Sequence, residues 1–319
     1  MIGVDIGSFY TKIGSCDRKN DKLNNMAIER TPQDCIRNGY LSDINVLSDF
    51  LNEILKRKFA KEKKLTFCIS STDIIIREIV LPFMKDDELK NALKYEIDQY
   101  IPNSDDYIVD YKQIEHDEGD KKIRTIIVAA PKEMIFGYLK LAKALKLHLE
   151  VIDIYSNSIY KSIKKLCKPT GSTSVVNIGA EYTDITIINE GKYAFSRVVK
   201  FGGNDINEII ANMYDTDFKT AEEYKRERPF FINDEDYASL RENTEKYVNS
   251  KLSEISRVFD FFESSYHKGI NEIYLIGGTS RLTGLKRYIE DFFKIPVLSN
   301  DDDLHTYFMP VFGSLIRGE

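Results

Sequence analysis

The sequence lacks several features that would place it in common classes of protein. Its four cysteines are not spaced as metal ligands, so no cysteine-based metal site is expected, and free thiols in a reducing compartment are the simplest interpretation. No apolar stretch approaches the ~20 residues that a helix needs to span a bilayer. With a net charge of −6, the chain also lacks the basic excess typical of nucleic-acid-binding proteins. Nucleic acid is therefore not an expected partner.

The N-terminus leaves no room for a secretory leader. Residues 1–4 are apolar and enter a predicted strand at once. Together with the free cysteines, this predicts a cytoplasmic protein. A basic run at residues 56–64 could contact anionic lipid, but such a run is also typical of the solvated end of a helix, where cations complement the helix dipole.

What the sequence does contain is an internal repeat. Residues 4–13 align without a gap on residues 176–185, and the valine, the first isoleucine, the glycine, the tyrosine, the threonine and the last isoleucine are identical in both copies. Copies so far apart indicate a duplicated domain and not a short solenoid repeat. A chain of 319 residues is long enough for two domains, each with its own core.

Each copy predicts a strand, a tight turn at glycine and a second strand with β-branched residues. Glycine permits the bend and the close approach of another group, and small or hydroxyl side chains beside it suit oxyanions. The duplicated strand–turn–strand, with Asp-Ile-Gly-Ser at residues 5–8, resembles the phosphate loops of actin-like ATPases, which have one in each domain. Two ordinary hairpins that match by coincidence are the alternative.

Two glycine pairs in the second half fit the same interpretation. Residues 273–276 predict a strand that ends at the pair 277–278, ahead of a helix beginning near Leu285, so that a flat ring or a phosphate could approach bare backbone. This arrangement resembles the adenosine motif of the actin-like superfamily. The pair 202–203 opens another predicted helix, which Asn204 or Asp205 could cap; a plain turn with a helix cap is the alternative here.

The order of predicted elements is that of an α/β protein. With the repeat, it predicts an actin-like (ribonuclease H-like) duplicated two-domain fold with a small α+β inserted subdomain, similar to FtsA. We expect the first domain at residues 1–170, with an insertion at about 80–147, and the second at 171–319, with an insertion at about 203–271. An apolar stripe from Val248 to Tyr266 predicts a long helix that packs on the core.

Two segments make the resemblance more specific. Residues 77–102, from Arg-Glu-Ile-Val-Leu-Pro to Gln-Tyr-Ile-Pro, closely resemble PilM proteins, and so do residues 197–205. PilM is a cytoplasmic, FtsA-like actin homologue of type IV pilus machines, and the resemblance spans essentially the whole chain. It implies that ATP and Mg²⁺ bind between the two domains. It also implies a peripheral position at the inner face of the cell membrane, reached only indirectly through a partner.

The resemblance further implies which residues hold the nucleotide. Asp5 would hold the hydrated Mg²⁺, and Lys12 would neutralise phosphate charge. For Glu222 and Lys225, which would reach ribose and base, a solvated helix face is the alternative. The other implied contacts are Gly7, Ser8 and Tyr10 in the first loop, Asn177, Gly179, Tyr182 and Thr183 in the second, and Gly202, Gly203, Gly277, Gly278 and Arg281 towards the nucleoside.

The implied partner is the cytosolic N-terminal tail of a PilN-like inner-membrane protein, held in a groove formed with the inserted subdomain. A pilus motor ATPase or a platform protein is a further candidate. Ordinary core packing is the alternative for each residue of the docking wall. The apolar and aromatic residues expected in that wall are Tyr95, Tyr100, Ile101, Tyr107, Val109 and Tyr111.

Binding is better supported by the residues than hydrolysis. Where the superfamily's second phosphate loop normally has aspartate, this chain has Asn177, whose neutral amide holds the water shell of a divalent cation less well. No carboxylate or glutamine at residues 154–158 takes the place of the water-positioning residue of hydrolytic members. We therefore expect slow or absent ATP hydrolysis and assign no catalytic residue.

Besides the favoured scaffold function, two others stay open. An FtsA-like, filament-forming membrane tether would need an amphipathic membrane helix, whereas residues 315–319 directly follow a predicted fold element. A sugar or acetate kinase of the same superfold would need a catalytic aspartate and an acceptor pocket, neither of which the sequence identifies.

Overall fold

The computed structural model describes residues 1–17, 22–101, 103–117, 122–227, 231, 238–299, 302 and 304–316. A π-helical turn, Leu304–Phe308, leads into the last helix. The strands are β1 Ile2–Ile6, β2 Tyr10–Asp17, β3 Lys22–Arg30, β4 Ile36–Arg37, β5 Tyr40–Leu41, β6 Lys64–Ile69, β7 Ile75–Pro82, β8 Tyr107–Asp117, β9 Lys122–Pro131, β10 His148–Ile154, β11 Ser172–Ile178, β12 Thr183–Asn189, β13 Lys192–Val199, β14 Glu272–Ile276 and β15 Val297–Leu298. The helices are α1 Ile44–Lys58, α2 Asp86–Tyr100, α3 Lys132–Ala144, α4 Tyr155–Leu166, α5 Gly203–Tyr214, α6 Phe218–Glu227, α7 Ala238–Tyr266, α8 Leu285–Phe293 and α9 Met309–Leu315.

The first half is built on a five-stranded sheet in the order β10-β6-β1-β2-β3. The central strand β1 is buried along its whole length, and it pairs antiparallel with β2 and parallel with β6. Helices α1 and α3 contribute Leu47, Leu51 and Leu141 to the core of this sheet. The basic run at residues 56–64 begins as the last turn of α1, as expected for a solvated helix end.

The second half repeats this plan with a sheet in the order β13-β12-β11-β14-β15. Strand β11 pairs antiparallel with β12 and parallel with β14, as β1 does with β2 and β6. Helix α7 buries Val248, Leu252 and Ile255 in the core of this sheet, which accounts for the apolar stripe. The predicted duplicated α/β fold is confirmed.

A three-stranded sheet, in the order β7-β9-β8, is inserted into the first half. Its odd-numbered side chains, such as Ile79 and Ile127, pack with Leu89 and Leu93 of α2 in a separate small core. Helix α3 instead packs Met134 on the first sheet. The boundaries of this insertion stay a prediction, and the contacts of α3 favour an end near the last residue of β9.

Helices α5 and α6 pack on each other through Ile206, Ile210 and Ala221. They lie in the segment predicted as the second insertion, whose boundaries also stay a prediction. Within the part of the chain that the structure describes, no helix combines the length and the apolar character needed to cross a membrane.

Candidate functional site

The two repeated hairpins face one cavity of about 390 Å³, which is lined by residues of both halves. This volume is within the range of roughly 300–1,000 Å³ typical of small-molecule sites. All the sequence-predicted nucleotide contacts except Thr183, Gly202 and Gly277 line it. The structure therefore brings together residues that are up to about 275 positions apart in the chain, a distance that local sequence patterns do not control.

The hairpin turns have the same hydrogen bonding in both halves. The Gly7 amide donates to the Tyr10 carbonyl at 3.1 Å, and the Gly179 amide donates to the Tyr182 carbonyl at 2.9 Å. A Cβ at residue 7 would lie 2.9 Å from the Tyr10 carbonyl oxygen, so the first turn has no room for a larger residue.

The amides inside both turns are available to a ligand. Among the described residues, the N–H groups of Ser8, Phe9, Ala180 and Glu181 form no hydrogen bond. All four residues line the cavity. Successive unpaired amides in a turn form a concave site for an anion, so the arrangement fits phosphate oxygens on both sides of the cavity.

Asp5 is fixed at the base of the first hairpin. It pairs in register with Lys12 across β1 and β2, and its side chain is only 5% exposed. Lys12 Nζ lies 2.9 Å from Asp5 Oδ2, and the Tyr155 hydroxyl donates to the same oxygen at 2.8 Å. Asp5 Oδ1 has no hydrogen bond in the described part of the chain. One carboxylate oxygen is thus available to a hydrated cation.

The second hairpin has different chemistry at the equivalent positions. Asn177 pairs in register with Asp184, where the first hairpin has Asp5 opposite Lys12. Ser70 donates a hydrogen bond to Asp184. The pKa of Asp184 is raised to about 7, mainly because the carboxyl is buried; the hydrogen bond from Ser70 opposes this rise and the negative charge of Asp5 adds to it. Asp184 lines the cavity, and it was not among the predicted site residues. The gap-free repeat could have indicated it, since residue 184 aligns with residue 12.

Glu222 and Lys225 are not on a solvated helix face. They are 7% and 6% exposed, and their charged atoms lie 2.6 Å apart. Lys225 Nζ also donates to the Gly203 carbonyl at 3.0 Å, and Asn207 donates to Glu222 Oε2 at 2.8 Å. Burial lowers the pKa of Lys225, although Glu222 opposes the shift. This network holds α6 against the first turn of α5.

The first turn of α5 is also fixed to the second hairpin. The Gly203 amide donates to the Gly179 carbonyl at 3.0 Å, and the Asn204 amide donates to the Ala180 carbonyl at 2.8 Å. Of the two expected capping residues, Asp205 forms the cap, because its Oδ2 accepts from the Gly202 amide at 2.7 Å.

Three predicted contacts lie behind the cavity wall. Thr183 is fully buried, and its hydroxyl donates to the Phe201 carbonyl at 2.8 Å. Gly202 packs against Ala180. Gly277 has φ +93°, and a Cβ there would lie 2.4 Å from the Ile178 carbonyl oxygen, so glycine is required for the strand to pass this point. Their roles as ligand contacts stay predictions.

The mouth of the cavity contains arginine and aromatic side chains, of which the sequence indicated Tyr10 and Arg281 but not Phe9, Arg226 and Tyr307. Arg226 of α6 donates to the Tyr10 hydroxyl at 2.9 Å and lies 5.3 Å from the centre of the Phe9 ring. Arg281, a predicted contact, lies 4.9 Å from the centre of the Tyr307 ring. Flat cationic and aromatic groups of this kind can stack on a nucleobase.

The predicted docking wall lies mainly in the small core of the inserted sheet. Ile101 is 2% exposed, while Tyr107, Val109 and Tyr111 are partly buried against the same core. The side chains of Tyr95 and Tyr100, on α2, lie outside the described residues. The use of these residues by a partner stays a prediction.

Comparison with known proteins places this geometry in a family. A family model described as type IV pilus assembly protein PilM matches residues 3–301. Cell division protein FtsA of Staphylococcus epidermidis is 20% identical over 334 residues, which cover 91% of this chain and 72% of FtsA.

Solved structures agree with this assignment. A chain of the PilM–PilN type IV pilus biogenesis complex is similar with a TM-score of 0.85 and 22% identity, over 98% of this chain and 96% of that chain. MreB5 of Spiroplasma citri bound to ADP has a TM-score of 0.56 and 14% identity, over 98% and 94% of the two chains. The predicted actin-like fold is confirmed. Because the family model covers nearly the whole chain, this protein belongs to the PilM family of type IV pilus assembly proteins.

Proposed function

We propose that this protein is a cytoplasmic ATP-binding scaffold of type IV pilus assembly that docks the tail of a PilN-like membrane protein. The observation that carries the proposal is the pair of matching glycine turns, with unpaired amides, around one cavity in a chain of the PilM family. Fold likeness alone would not select a function, so the proposal rests on these turns and on the family.

ATP would lie with its phosphates between the two turns. The amides of Ser8 and Ala180 would donate to phosphate oxygens from opposite sides, and Lys12 would balance their charge. Gly203, Gly278 and the buried Glu222–Lys225 pair would lie beside the nucleoside. The similar MreB5 structure contains ADP, which supports a nucleotide as the ligand class.

Mg²⁺ would be held through its water shell by Asp5, whose other oxygen is fixed by Lys12 and Tyr155. When bound, the cation would neutralise phosphate charge. The described residues contain no cluster of three or more His, Cys, Asp or Glu side chains that could hold a metal directly. An outer-sphere contact from one carboxylate is consistent with the way Mg²⁺ keeps its waters.

We expect the bound ATP to be hydrolysed slowly or not at all. At the start of α4, Asn157 Nδ2 and Ser158 Oγ both donate to Asp153, and neither residue lines the cavity in which a water molecule would have to be positioned. Tyr155 is committed to Asp5. Asn177 offers no charge in the second loop, which weakens the support for a catalytic cation.

The partner proposal comes from the PilM–PilN complex, whose similar chain covers 98% of this protein. We propose that a PilN-like tail docks at the inserted subdomain, which gives the scaffold its indirect contact with the membrane. The solvent-facing parts of Tyr107, Val109 and Tyr111 are the candidate contacts.

Calorimetric titration tests both parts separately. Wild-type protein should bind Mg-ATP, and it should independently bind a synthetic peptide of the PilN-like tail from the same genome. Lys12→Met should weaken ATP binding about 10- to 150-fold, because one charge-assisted contact of roughly 1.5–3 kcal/mol is lost. The matched control is Lys140→Met, an exposed residue of α3 away from the cavity.

Each outcome has a distinct meaning. Loss of ATP binding in Lys12→Met with intact peptide binding supports the cavity assignment. Absence of peptide binding removes the scaffold function but leaves the nucleotide site. Rapid phosphate release, or pelleting of filaments with ATP, would instead favour an FtsA-like alternative, which the FtsA relatives make the second candidate.

A further inference from the structure

A group of exposed lysines lies at the edge of the first sheet where β6 and β10 begin. Helices α1 and α3 lead into these two strands, which run parallel to each other, so both helices end at this edge. The His148 amide donates to the Lys63 carbonyl at 3.0 Å, which joins the two connections directly. We call these lysines the basic edge; they are Lys56, Lys58, Lys61, Lys63, Lys143 and Lys146.

The positive charge of the basic edge is not balanced by the carboxylates beside it. Glu29 pairs with Arg57, and Glu62 pairs with the N-terminal amino group. Glu150 pairs with Lys64. None of the six lysines has an ion-pair partner among the described residues, and one of them donates only to a backbone carbonyl. A chain with a net charge of −6 therefore concentrates six unpaired cations at one place.

The second half shows that the fold itself does not require these lysines. There α7 leads to β14, which pairs with β11 as β6 pairs with β1. The last turn of α7 has no basic residue, and residues 267–271 contain one lysine, Lys268, which pairs with Glu190. In the first half, the last turn of α1 has three basic residues, and more lysines follow beyond the reach of the helix dipole. A solvated helix end thus accounts for only part of the basic edge.

The basic edge lies at the opposite end of the sheet from the nucleotide cavity. Asp5 at the end of β1 and Ser70 just after β6 line the cavity, whereas Lys64 is the first residue of β6. The six residues of that strand span roughly 20 Å. The basic edge shares no residue with the cavity or with the predicted docking wall, so a surface bound there leaves both accessible.

The chemistry of the basic edge fits an anionic lipid surface. Its cations are lysines, which are point charges on flexible stems, and Arg57 beside them is already paired. Attraction to mobile anionic headgroups needs only clustered charge near the surface, whereas precise recognition of a phosphate or a carboxylate favours the bidentate arginine. The one phenyl ring within residues 56–64, that of Phe59, is 3% exposed, so this segment has no ring on which a nucleic-acid base could stack.

We propose that the basic edge is a membrane-contact face that binds the surface of an anionic lipid bilayer. The lysines lie among the headgroups, and no part of this face enters the hydrocarbon. Each lysine near such a surface strengthens partitioning about fivefold, so six together give reversible binding where one or two would not. This contact is direct, in addition to the one made through a PilN-like partner, and it places the cavity at the end of the sheet farther from the bilayer.

Sedimentation of the full chain with lipid vesicles tests the proposal without a partner peptide or a nucleotide. Vesicles of phosphatidylcholine with about 30% phosphatidylglycerol should bind the protein, and vesicles of phosphatidylcholine alone should not. Binding should weaken as sodium chloride is raised from about 50 to about 300 mM, because salt screens charges at a surface. The variant Lys56→Gln/Lys61→Gln/Lys63→Gln/Lys146→Gln should lower the partition coefficient about 100-fold or more.

The matched control is Lys219→Gln/Lys246→Gln/Lys286→Gln/Lys294→Gln, which removes the same charge from exposed positions of the second half and should leave lipid binding unchanged. The proposal is overturned if wild type does not bind anionic vesicles, if neutral vesicles bind it equally, or if the control lowers binding as much as the basic-edge variant. It is also overturned if duplex DNA at the same phosphate concentration displaces the protein from the vesicles, which would make the basic edge a nucleic-acid site.

Circular dichroism and Mg-ATP binding establish that both variants are folded. None of the substituted lysines belongs to the nucleotide cavity or to the predicted docking wall. Failure of lipid binding would therefore leave the proposed nucleotide and PilN-like partner sites untouched, and their failure would leave the basic edge.

Discussion

At the scale of single residues, the two sides of the cavity differ in charge, because the two copies of the hairpin have different residues at equivalent positions. Asp5 and Lys12 form an ion pair in the first copy, whereas Asn177 and Asp184 occupy the same register in the second. Among the described residues, no lysine or arginine forms an ion pair with Asp184 as Lys12 does with Asp5. Its proton is therefore retained to about pH 7, because burial penalises the charged form.

Replacement of Asp184 by Asn should reveal this retained proton. The folded protein holds the proton up to about pH 7, whereas the unfolded chain releases it near 3.8. Wild-type stability due to this group is then greatest at low pH and falls as pH rises between these values. Because Asn does not titrate, the variant does not lose this contribution. The unfolding free energy of Asp184→Asn minus that of wild type should therefore rise by about 1–3 kcal/mol between pH 4.5 and 7.5.

Urea denaturation at four pH values in that interval measures the effect. Asp49→Asn, an exposed carboxylate of α1, is the control and should show no such trend. A difference for Asp184→Asn that does not vary with pH would contradict the raised pKa.

At the scale of elements, the side of the cavity proposed to hold the nucleoside depends on how α6 is held against α5. The contact is polar and buried: Glu222 and Lys225 of α6 meet Asn207 and the Gly203 carbonyl of α5. Buried charges of this kind stabilise a specific arrangement only while each remains paired. The network thus fixes the position of Gly203 at the cavity wall.

The two partners of this pair should respond unequally to removal. Glu222→Gln removes the negative charge that compensates buried Lys225, and should destabilise the protein by about 3–5 kcal/mol. Lys225→Met should cost less, because Arg226 and Asn207 still bind Glu222. Thermal or urea unfolding of both variants and of the double variant measures the coupling, with exposed Glu223→Gln as the control. This account would be contradicted if the two single variants lost equal stability and the double variant lost the sum of the two.

At the scale of the whole molecule, the two halves meet across the cavity mouth. Arg226 of the second half bonds to Tyr10 of the first, and the ring of Tyr10 lies edge to face with Tyr307 at 6.3 Å. These contacts narrow the path by which a nucleotide would leave. They are partly exposed, so each contributes modestly to stability.

Removal of the contact between the halves should speed nucleotide release. Arg226→Ala should raise the dissociation rate of a fluorescent ATP analogue about 2- to 10-fold, consistent with the loss of one hydrogen bond of roughly 0.5–1.5 kcal/mol. Stopped-flow displacement measures this rate. Arg257→Ala, on the exposed side of α7, should leave it unchanged. An unaltered rate in Arg226→Ala would show that the mouth does not limit release.

The sequence predicted most of the first and second hairpins because their geometry is local. The bond from Gly7 to Tyr10 spans three residues, and its copy from Gly179 to Tyr182 does the same. The repeated sequence therefore predicts the turn, the strand pairing and the positions of the candidate phosphate contacts in both hairpins. The long helix α7 was likewise predicted from its apolar stripe, because its apolar positions follow a helical period.

What the sequence could not indicate are contacts between distant segments. Thr183 matches the repeat, yet its hydroxyl faces Phe201 instead of the cavity. The buried state of Glu222 and Lys225 depends on α5, and the Tyr10–Arg226 contact joins residues 216 positions apart. No local sequence pattern predicts such a pair, because the two residues meet only when the two halves of the folded chain pack together.

The sequence by itself determined the duplication, the glycine turns and the placement of Asp5 opposite Lys12, because neighbouring residues fix turns and strand register. The tertiary structure alone decided that the turns share one cavity, that Asp184 is buried beside Asp5, and that Glu222 and Lys225 are buried against α5. The physical reason is that burial and charge proximity belong to the packed chain and not to any segment of it.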